Sequence, residues 1–125
     1  MLTGHDAVAT VAVRDLAAAS RFYEDTLGLE RIHDEESQAY TYRTGASTML
    51  VYQSEYAGTN RATSVTWIVG DQVDALAKSL KSKGVKFERY DMPGGRHDGD
   101  VHVFGETRVA WFKDPDGNIL NIASG

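Results

Sequence analysis

The same order of predicted elements occurs twice along the chain, and this repeat limits the folds that it can adopt. In the first half an apolar run ends before Asp15, apolar residues then recur at helical spacing, and Gly28 follows. In the second half a β-rich run ends before Asp71, a second apolar stripe follows, and Gly84 comes after it. Asp is typical of helix starts and Gly of helix ends. A repeated unit of this kind predicts an α+β fold, with two helices packed on one side of β-strands.

Two β-hairpins are predicted, one near the end of each half. The second is centred on Asp114-Pro115-Asp116-Gly117, which has the residues of a type I turn and is flanked by apolar runs. The first is centred on residues 44–47. A four-residue turn in each hairpin predicts these opposed pairs: Tyr40 with Val51, Tyr42 with Met49, Ala110 with Asn121, and Phe112 with Ile119.

Composition and charge exclude several classes of protein. The chain has 125 residues, 42% of them hydrophobic, which suits one domain with a core. Its 13 basic and 18 acidic side chains give a net charge of −5 without a basic stripe, so nucleic acid is not an expected partner. The absence of cysteine excludes disulfides and zinc–cysteine sites. No apolar run is long enough to span a membrane and no signal peptide precedes the first strand, so a cytoplasmic protein without a membrane partner is expected.

Two segments of the chain carry a resemblance to a known family. VRDLAAASRFYEDTLGLE, which begins at Val13, and WFKDPDGNILNI, which begins at Trp111, resemble the vicinal oxygen chelate superfamily, also called the glyoxalase/bleomycin resistance protein/dioxygenase family. The resemblance covers the whole chain as one domain, residues 1–125, with repeats at about 5–54 and about 62–125. It implies two βαβββ modules whose curled mixed sheets enclose a cavity, with the helices on the outer face.

Enzymes of this family usually bind a divalent metal ion through His or Glu at fixed positions on the strands. In this sequence the resemblance places those positions at Val8, Val51, Ser64 and Asn121. None of the four offers an imidazole or a carboxylate, whereas Mg, Mn, Fe or Zn needs three or four such ligands. The sequence therefore predicts no metal at the usual site and no other cofactor.

Strand periodicity extends these four positions to a predicted ligand-binding face, because alternate residues of a strand point to the same side. The residues predicted to bind a ligand are Thr10, Tyr40, Tyr42, Met49, Val51, Gln53, Ser64, Thr66, Phe112 and Asn121. The opposite face is wholly apolar and is expected to pack under the helices; it carries Ala9, Val11, Val13, Leu50, Val65, Trp67, Val69, Leu120 and Ile122. Aromatic rings with a few neutral hydrogen-bonding groups are typical of a small-molecule site, although the same side chains could simply fill a core.

A glycine-rich segment, residues 92–100, contains or adjoins four side chains that could bind a metal ion or a proton. His97, Asp98, Asp100 and His102 lie close together in sequence, but their spacing fits no metal-binding motif, and a polar loop of this kind is usually mobile. The segment could instead act as a lid, since its glycines allow hinge motion. His97 or His102 would then be the candidate catalytic acid or base of an enzyme without the usual metal.

The sequence therefore predicts a metal-free small-molecule binding protein of this family, one that sequesters an aromatic or drug-like ligand as antibiotic-resistance members do. The resemblance also implies a homodimer. The alternative is an enzyme of the same superfamily, a lyase, isomerase or dioxygenase, that is cofactor-free or uses a displaced metal site. A subunit that only contacts other proteins has no positive signal in the sequence. The pairing of the modules, within one chain or across two, stays open at this point.

Overall fold

A computed structural model of the chain describes residues 1–34 and 38–125 in full, together with the backbone of Glu35. The described residues form two compact units, Met1–Thr59 and Asn60–Gly125. Each unit contains a mixed β-sheet and one main helical segment, so the predicted α+β class is confirmed. Within the described residues, no helix combines the length and the apolar character needed to cross a membrane.

The first unit is a four-stranded sheet with a helix between its first two strands. Its elements are β1 (Ala9–Val13), α1 (Leu16–Ser20), a π-helical turn (Arg21–Thr26), β2 (Glu30–Glu35), β3 (Ala39–Thr44) and β4 (Ser47–Gln53). The strand order is β1-β4-β3-β2, with β1 parallel to β4 and the other pairs antiparallel. The polar composition of residues 33–37 is typical of a turn, but β2 extends as far as Glu35. Residues 36 and 37 lie outside the described part of the chain.

Helix α1 begins as its sequence predicts. The Asp15 carboxylate accepts hydrogen bonds from the backbone N–H groups of Ala17 at 2.9 Å and Ala18 at 3.4 Å, which satisfies donors that a helix start leaves free. Gly28 ends the helical segment with a φ of 74°, a left-handed conformation in which other residues are strained. The predicted Asp cap and Gly exit are both confirmed.

The sheet of the first unit confirms one predicted register and corrects another. In the first hairpin Tyr40 lies opposite Val51 and Tyr42 opposite Met49, as predicted. Strand β1, however, pairs Val11 with Val51, and it pairs Thr10 with a residue of the opposite face. The prediction that Thr10 shares a face with Val51 is therefore wrong. The physical reason is that the loops of the two hairpins differ by an odd number of residues, so equivalent positions of the two halves lie on opposite strand faces.

The face of this sheet that carries Tyr42 is the core of the first unit. Tyr42, Met49 and Val51 are completely buried, and the Tyr42 ring lies 6.1 Å from that of Tyr23 in the helical segment. The Tyr42 hydroxyl donates to the Glu24 carboxylate at 2.8 Å. These predicted ligand-binding residues thus lie on the helix-covered side of their sheet.

The second unit repeats the topology of the first with additional short strands. Its elements are β5 (Thr63–Ile68), a 3₁₀ turn (Gly70–Gln72), α2 (Val73–Ser82), β6 (Phe87–Glu88), β7 (Arg96–Asp98), β8 (Val101–Phe104), β9 (Thr107–Lys113) and β10 (Ile119–Ala123). The order is β5-β10-β9-β8-β7, with β5 parallel to β10 and with β6 also paired to β9. Asp71 lies within the 3₁₀ turn rather than at the N-cap of α2. The irregular segment predicted at 92–100 contains strand β7, so that prediction is partly wrong.

The second hairpin has the predicted turn but a different register. The Gly117 N–H donates to the Asp114 carbonyl at 3.0 Å, as a type I turn requires. Gly117 then adopts a φ of 93°, and Asn118 is added before pairing resumes, closed by a 3.0 Å bond from the Asp114 N–H to the Asn118 carbonyl. Asn121 therefore lies opposite Trp111, and the predicted pair of Ala110 with Asn121 is wrong by one residue.

This one-residue difference decides which aromatic ring lies beside Asn121. Phe112 pairs with Leu120 and packs against Phe87 at a ring distance of 5.7 Å, on the same face as Arg108, which bonds Asp74 of α2. The predicted pair of Phe112 with Ile119 is wrong for the same reason. The sheet therefore presents Phe112 to the helix and Trp111 to the opposite side.

Candidate functional site

The side of the second sheet opposite α2 carries a cluster of rings and amides, here called the Trp111 cluster: Tyr90, His97, His102, Trp111 and Asn121. The Trp111 ring lies 5.5 Å from the Tyr90 ring and 4.8 Å from the His102 ring, nearly perpendicular to each. Its indole N–H donates to the Thr63 hydroxyl at 3.0 Å. Since Asn121 lies opposite Trp111 on β10, the indole is the common neighbour of the cluster.

Two histidines contact the backbone of Tyr90, one at its N–H group and the other at its carbonyl oxygen. The His102 Nε2 atom accepts from the Tyr90 N–H at 2.9 Å, and the His97 Nε2 atom lies 3.0 Å from the Tyr90 carbonyl oxygen. The two imidazoles are themselves 4.7 Å apart, because β7 and β8 pair them directly. An imidazole that accepts at Nε2 carries its proton on Nδ1 when neutral. The neutral form of His102 therefore has an Nδ1–H donor.

Burial fixes the charge of the two titratable groups around Trp111. The pKa of His102 is lowered mainly by burial and further by the neighbouring His97, against partial opposition from the backbone of Tyr90 and Val109. Burial also raises the pKa of Tyr90, with a further contribution from Glu88. Near neutral pH the cluster therefore presents an uncharged imidazole and an uncharged phenol.

Three buried polar atoms of this cluster make no hydrogen bond of standard geometry among the described residues, although the His102 ring also interacts with the backbone of Val109. They are the Tyr90 hydroxyl oxygen, His102 Nδ1 and Asn121 Oδ1. His102 is only 2% exposed and Asn121 7%. Most buried polar atoms in proteins are hydrogen-bonded, and each one left without a partner costs about 1–3 kcal/mol. Tyr90 and His102 also line a neighbouring cavity, whereas Trp111 packs with Val109 and Ala123 in a hydrophobic core cluster.

A cavity of about 320 Å³ opens beside the two histidines. It is lined by Tyr90, Asp91, Met92, Pro93, Gly95, His97, His102 and Phe104. A Cβ atom on Gly95 would lie 2.6 Å from the Phe104 ring, so any larger residue there would displace that ring. The volume falls at the lower end of small-molecule sites, which span about 300–1,000 Å³.

The residues at the usual metal positions of the resembled family do not fit a metal ion. Val8 is an exposed aliphatic side chain, and Ser64 falls at an irregularity of the β5–β10 register. Val51 is buried in the first core, while Asn121 offers one neutral amide. On the other face of β4 the neighbouring residue is Leu50, which is also apolar and could not bind a metal ion. This set contains neither an imidazole nor a carboxylate.

The acidic residues near the histidines are held elsewhere. Asp98 accepts from Arg108 at 2.8 Å, and Asp100 accepts from Lys81 at 2.9 Å. In residues 1–34 and 38–125 no group of three or more His, Asp or Glu side chains is arranged to hold a metal ion. The four residues His97, Asp98, Asp100 and His102 are therefore adjacent in sequence but do not converge. His102 is a buried strand residue, which corrects the prediction of a mobile loop.

The structure divides the predicted ligand-binding residues into three groups. Thr66 pairs with Asn121 and shares its face, as predicted. Residues on helix-covered faces are Tyr42, Met49, Val51 and Phe112. Tyr40 and Gln53 share the strand face of Tyr42 and Val51 but are less buried. Thr10 lies on the alternate face, and Ser64 falls at a register irregularity. The predicted set does not include Trp111 or Tyr90. For Trp111 the sequence signal was Gly117, because its left-handed conformation shifts the register of the second hairpin.

Comparison with known proteins gives the family and the fold. The model of the Glyoxalase/Bleomycin resistance protein/Dioxygenase superfamily matches residues 6–122. No curated protein sequence is significantly similar to this chain.

Several solved structures share the fold at low sequence identity. An integron cassette protein from the mobile metagenome of the Halifax Harbour sewage outfall is 20% identical over 97% of this chain and 100% of that chain, with a TM-score of 0.72. The fosfomycin resistance protein FosX from Mesorhizobium loti is 19% identical over 97% of this chain and 92% of that chain, with a TM-score of 0.70. A mutant of FosX from Listeria monocytogenes, complexed with Mn(II) and a dihydroxypropylphosphonic acid, is 20% identical over 100% of this chain and 92% of that chain, with a TM-score of 0.72.

Proposed function

Because this chain belongs to the glyoxalase/bleomycin resistance protein/dioxygenase superfamily, we propose that it binds a small organic molecule at the Trp111 cluster without a metal ion. The observation that carries this proposal is the set of three buried polar atoms around Trp111 that lack a partner among the described residues. A bound molecule that offers complementary polar atoms would remove the free-energy cost of leaving them unpaired.

The chemistry of the cluster supports binding rather than metal-assisted reaction. The indole of Trp111 and the phenol of Tyr90 pack nearly perpendicular to each other, and the pKa shifts of His102 and Tyr90 favour the uncharged form of both groups. Such walls suit an aromatic ligand, which they bury while a few polar contacts set its orientation. Sequestration of an aromatic or drug-like molecule fits this inventory. Thr66 and Asn121 are retained from the predicted site and Trp111 is added, while ligand contacts of Thr10, Tyr40, Gln53 and Ser64 stay predictions.

Tryptophan fluorescence can test this proposal directly, since the chain has two tryptophans, Trp67 and Trp111. In a Trp67→Phe variant, the emission of Trp111 reports on its own surroundings. We expect some members of a panel of aromatic compounds to change this emission saturably and to be recovered unchanged by mass spectrometry. A matched Trp111→Phe variant, which keeps Trp67, should bind the same compounds more weakly when binding is measured by calorimetry.

Two results would count against the proposal. A panel that leaves Trp111 emission unchanged throughout would remove binding at this cluster. The second result is a stoichiometric metal, found by elemental analysis, that is lost in the His97→Ala or His102→Ala variant. That result would contradict metal-free binding and would favour an enzyme with a displaced metal site.

The second candidate function is an enzyme of the same superfamily that moves protons without a metal, as an isomerase or lyase does. The observation that favours it is the contact of His97 with His102, which both line the cavity. A neutral imidazole can act as a base near neutral pH. Turnover of a bound compound, abolished by His97→Gln with ligand binding retained, would support catalysis. Recovery of every bound compound unchanged would exclude it for that panel.

Homodimer formation and a cytoplasmic location stay predictions from the sequence. Native mass spectrometry of the purified protein tests the first, and a mass of one chain at micromolar concentration would contradict it.

A further inference from the structure

The segment that joins strands β6 and β7, residues 89–95, is here called the strap. Its backbone is irregular, with a 3.0 Å class of turn contact from the Gly95 N–H to the Met92 carbonyl, measured at 3.1 Å. The strap supplies most of the wall of the cavity of about 320 Å³, namely Tyr90, Asp91, Met92, Pro93 and Gly95. The position of the strap therefore determines whether this cavity is closed on that side.

Two imidazoles attach the strap to the sheet through the backbone of Tyr90, and they do so with opposite tautomers. The Tyr90 N–H donates to His102 Nε2 at 2.9 Å, so that nitrogen carries no proton. His97 Nε2 lies 3.0 Å from the Tyr90 carbonyl oxygen, which can only accept, so in this contact His97 carries its proton on Nε2. Because β7 and β8 pair the two histidines directly, both contacts fall on one residue of the strap.

Protonation of His102 is incompatible with its contact to Tyr90. A proton on Nε2 would point at the Tyr90 N–H, so the hydrogen bond is lost and two donors face each other. The His97 ring is centred 4.7 Å away, so a charge on both rings adds repulsion. His102 is only 2% exposed, and a buried charge is costly unless it is paired.

The charged groups that act on His102 from the neighbouring elements also oppose its protonation. His97 of β7 and Arg89 of the strap both lower the pKa of His102, in addition to burial. From β9 the ring faces the uncharged Trp111 indole and the Val109 backbone, and the latter partly opposes this lowering together with the backbone of Tyr90. The closed strap thus favours a neutral His102.

The remaining ionisable groups around the strap are a phenol and two carboxylates. The Tyr90 ring is centred 6.0 Å from that of His102, and burial and Glu88 raise the pKa of its phenol, which keeps its proton in acid. Glu88 is itself paired with Lys113 at 3.4 Å, and Asp91 is an exposed residue of the strap.

We propose that His97 and His102 form a proton-controlled clip, which holds the strap on the sheet while both imidazoles are neutral and releases it when His102 is protonated. Release exposes the imidazole to water, so the open state binds the proton more readily than the closed state, and acid shifts the population towards the open state. The cavity then opens to solvent on the side of the strap. The clip goes beyond the proposed function and does not depend on it, since its contacts involve no ligand.

The test measures hydrogen exchange of the Tyr90 amide in the full chain at pH 7 and pH 5. Each rate is divided by the intrinsic rate at the same pH, so that the ratio reports only the opening of the structure. We expect the protection of this amide to fall about tenfold at pH 5, which corresponds to one net hydrogen bond. Low concentrations of urea should leave this exchange unchanged and accelerate that of the β10 amides, because release of the strap exposes little surface.

Two substitutions of His102 and one control isolate the clip. His102→Gln places an amide there that does not titrate, so the protection of the Tyr90 amide should be nearly the same at both pH values. His102→Phe removes the acceptor, so the protection should be low at both. His5→Gln, at an exposed histidine of the first unit, should keep the tenfold change of the natural chain.

Three outcomes would overturn the clip. The first is a Tyr90 amide whose protection is absent at pH 7 or unchanged at pH 5. The second is a tenfold loss that persists in both His102 variants. The third is a common loss at Tyr90 and in β10 with the same urea dependence, because the opening would then be unfolding of the second unit. Ligand binding at Trp111 is tested separately by its fluorescence, so it can stand or fail without the clip.

Discussion

Asn121 lies directly opposite Trp111 in the second sheet, and its side-chain oxygen is buried without a partner among the described residues. The indole ring beside it is also 4.8 Å from the His102 imidazole. One aromatic residue thus connects two polar groups that the fold leaves incomplete. Such groups lower the stability of the free protein and are retained where they serve binding. If Asn121 binds a ligand as proposed, we expect stability and binding to respond in opposite directions to its substitution.

Replacing Asn121 with Leu should therefore stabilise the free protein while weakening its ligand binding. Removing a buried acceptor without a partner should raise the free energy of unfolding by about 1 kcal/mol, measured by urea denaturation. The matched control is Asn118→Leu, because Asn118 is equally buried but donates to the Asp114 carboxylate at 2.8 Å from its backbone and from its side chain. That variant should lower the free energy of unfolding by about 1–2 kcal/mol. A destabilised Asn121→Leu protein would show that the amide has a partner in solution.

Gly117 should determine the register that brings Trp111 beside Asn121. Its φ of 93° is unfavourable for any residue with a Cβ, so Gly117→Ala should lower the free energy of unfolding by about 1–2 kcal/mol. Gly4→Ala is the control, since Gly4 has no positive φ and open space around its Cβ position. Hydrogen exchange of the amides of β9 and β10 would show whether the pairing of this hairpin has weakened. An unchanged stability would mean that another residue determines the register.

The turn at Gly117 separates the parts of this fold that the sequence predicts from the register that it does not predict. The repeat, the Asp15 cap and the pairs of the first hairpin follow from local chemistry and strand periodicity, and the structure confirms them. The residues of the second turn predict its type but not the number of residues that follow before pairing resumes. Because the turn contains one residue more than predicted, Trp111 rather than Phe112 shares a face with Asn121.

The burial of His102 was hidden from the sequence for a different reason. Strand β7 is only three residues long, and its glycine-rich and acidic surroundings are typical of an irregular loop. Its pairing with β8 depends on contacts of the Tyr90 backbone with both histidines, which no local pattern reveals. A buried polar atom without a partner is likewise a property of the packed structure, so the position of His102 beside the cavity required coordinates.

Protein stability should depend on pH through His102. Burial holds the folded-state pKa of His102 below its ordinary value of 6.5, so the unfolded chain binds its proton more readily than the folded chain. Stability should therefore be constant above about pH 7 and should fall as the pH decreases from 6.5 towards the lower folded pKa. Urea denaturation between these limits, repeated with His102→Phe, should show a much flatter profile in the variant. An equally steep profile in both proteins would assign the dependence to another group.

Nuclear magnetic resonance offers a direct check of the same pKa. The ring C–H signals of His102 should titrate below its ordinary pKa of 6.5, and substituting His97 with Gln should move the pKa of His102 upward, because His97 contributes to lowering it. Asp98 does not interfere in this window, since its pKa is lowered from 3.8 by hydrogen bonding to Arg108. A His102 pKa at or above its ordinary value would contradict the buried, neutral imidazole.

The first unit can be tested independently through Tyr42. Its hydroxyl donates to the Glu24 carboxylate at 2.8 Å, and Glu24 also accepts from Arg31. Burial and the neighbouring carboxylate both raise the pKa of Tyr42, so the phenol keeps its proton throughout the stable pH range. Tyr42→Phe removes the donor and leaves the ring packing, and it should lower the free energy of unfolding by about 1–2 kcal/mol. Tyr56→Phe is the control, since Tyr56 is 72% exposed and should change the stability very little. If Tyr42→Phe is also neutral while ligand binding falls, Tyr42 acts in binding as the sequence predicted; if stability alone falls, its role is in the core.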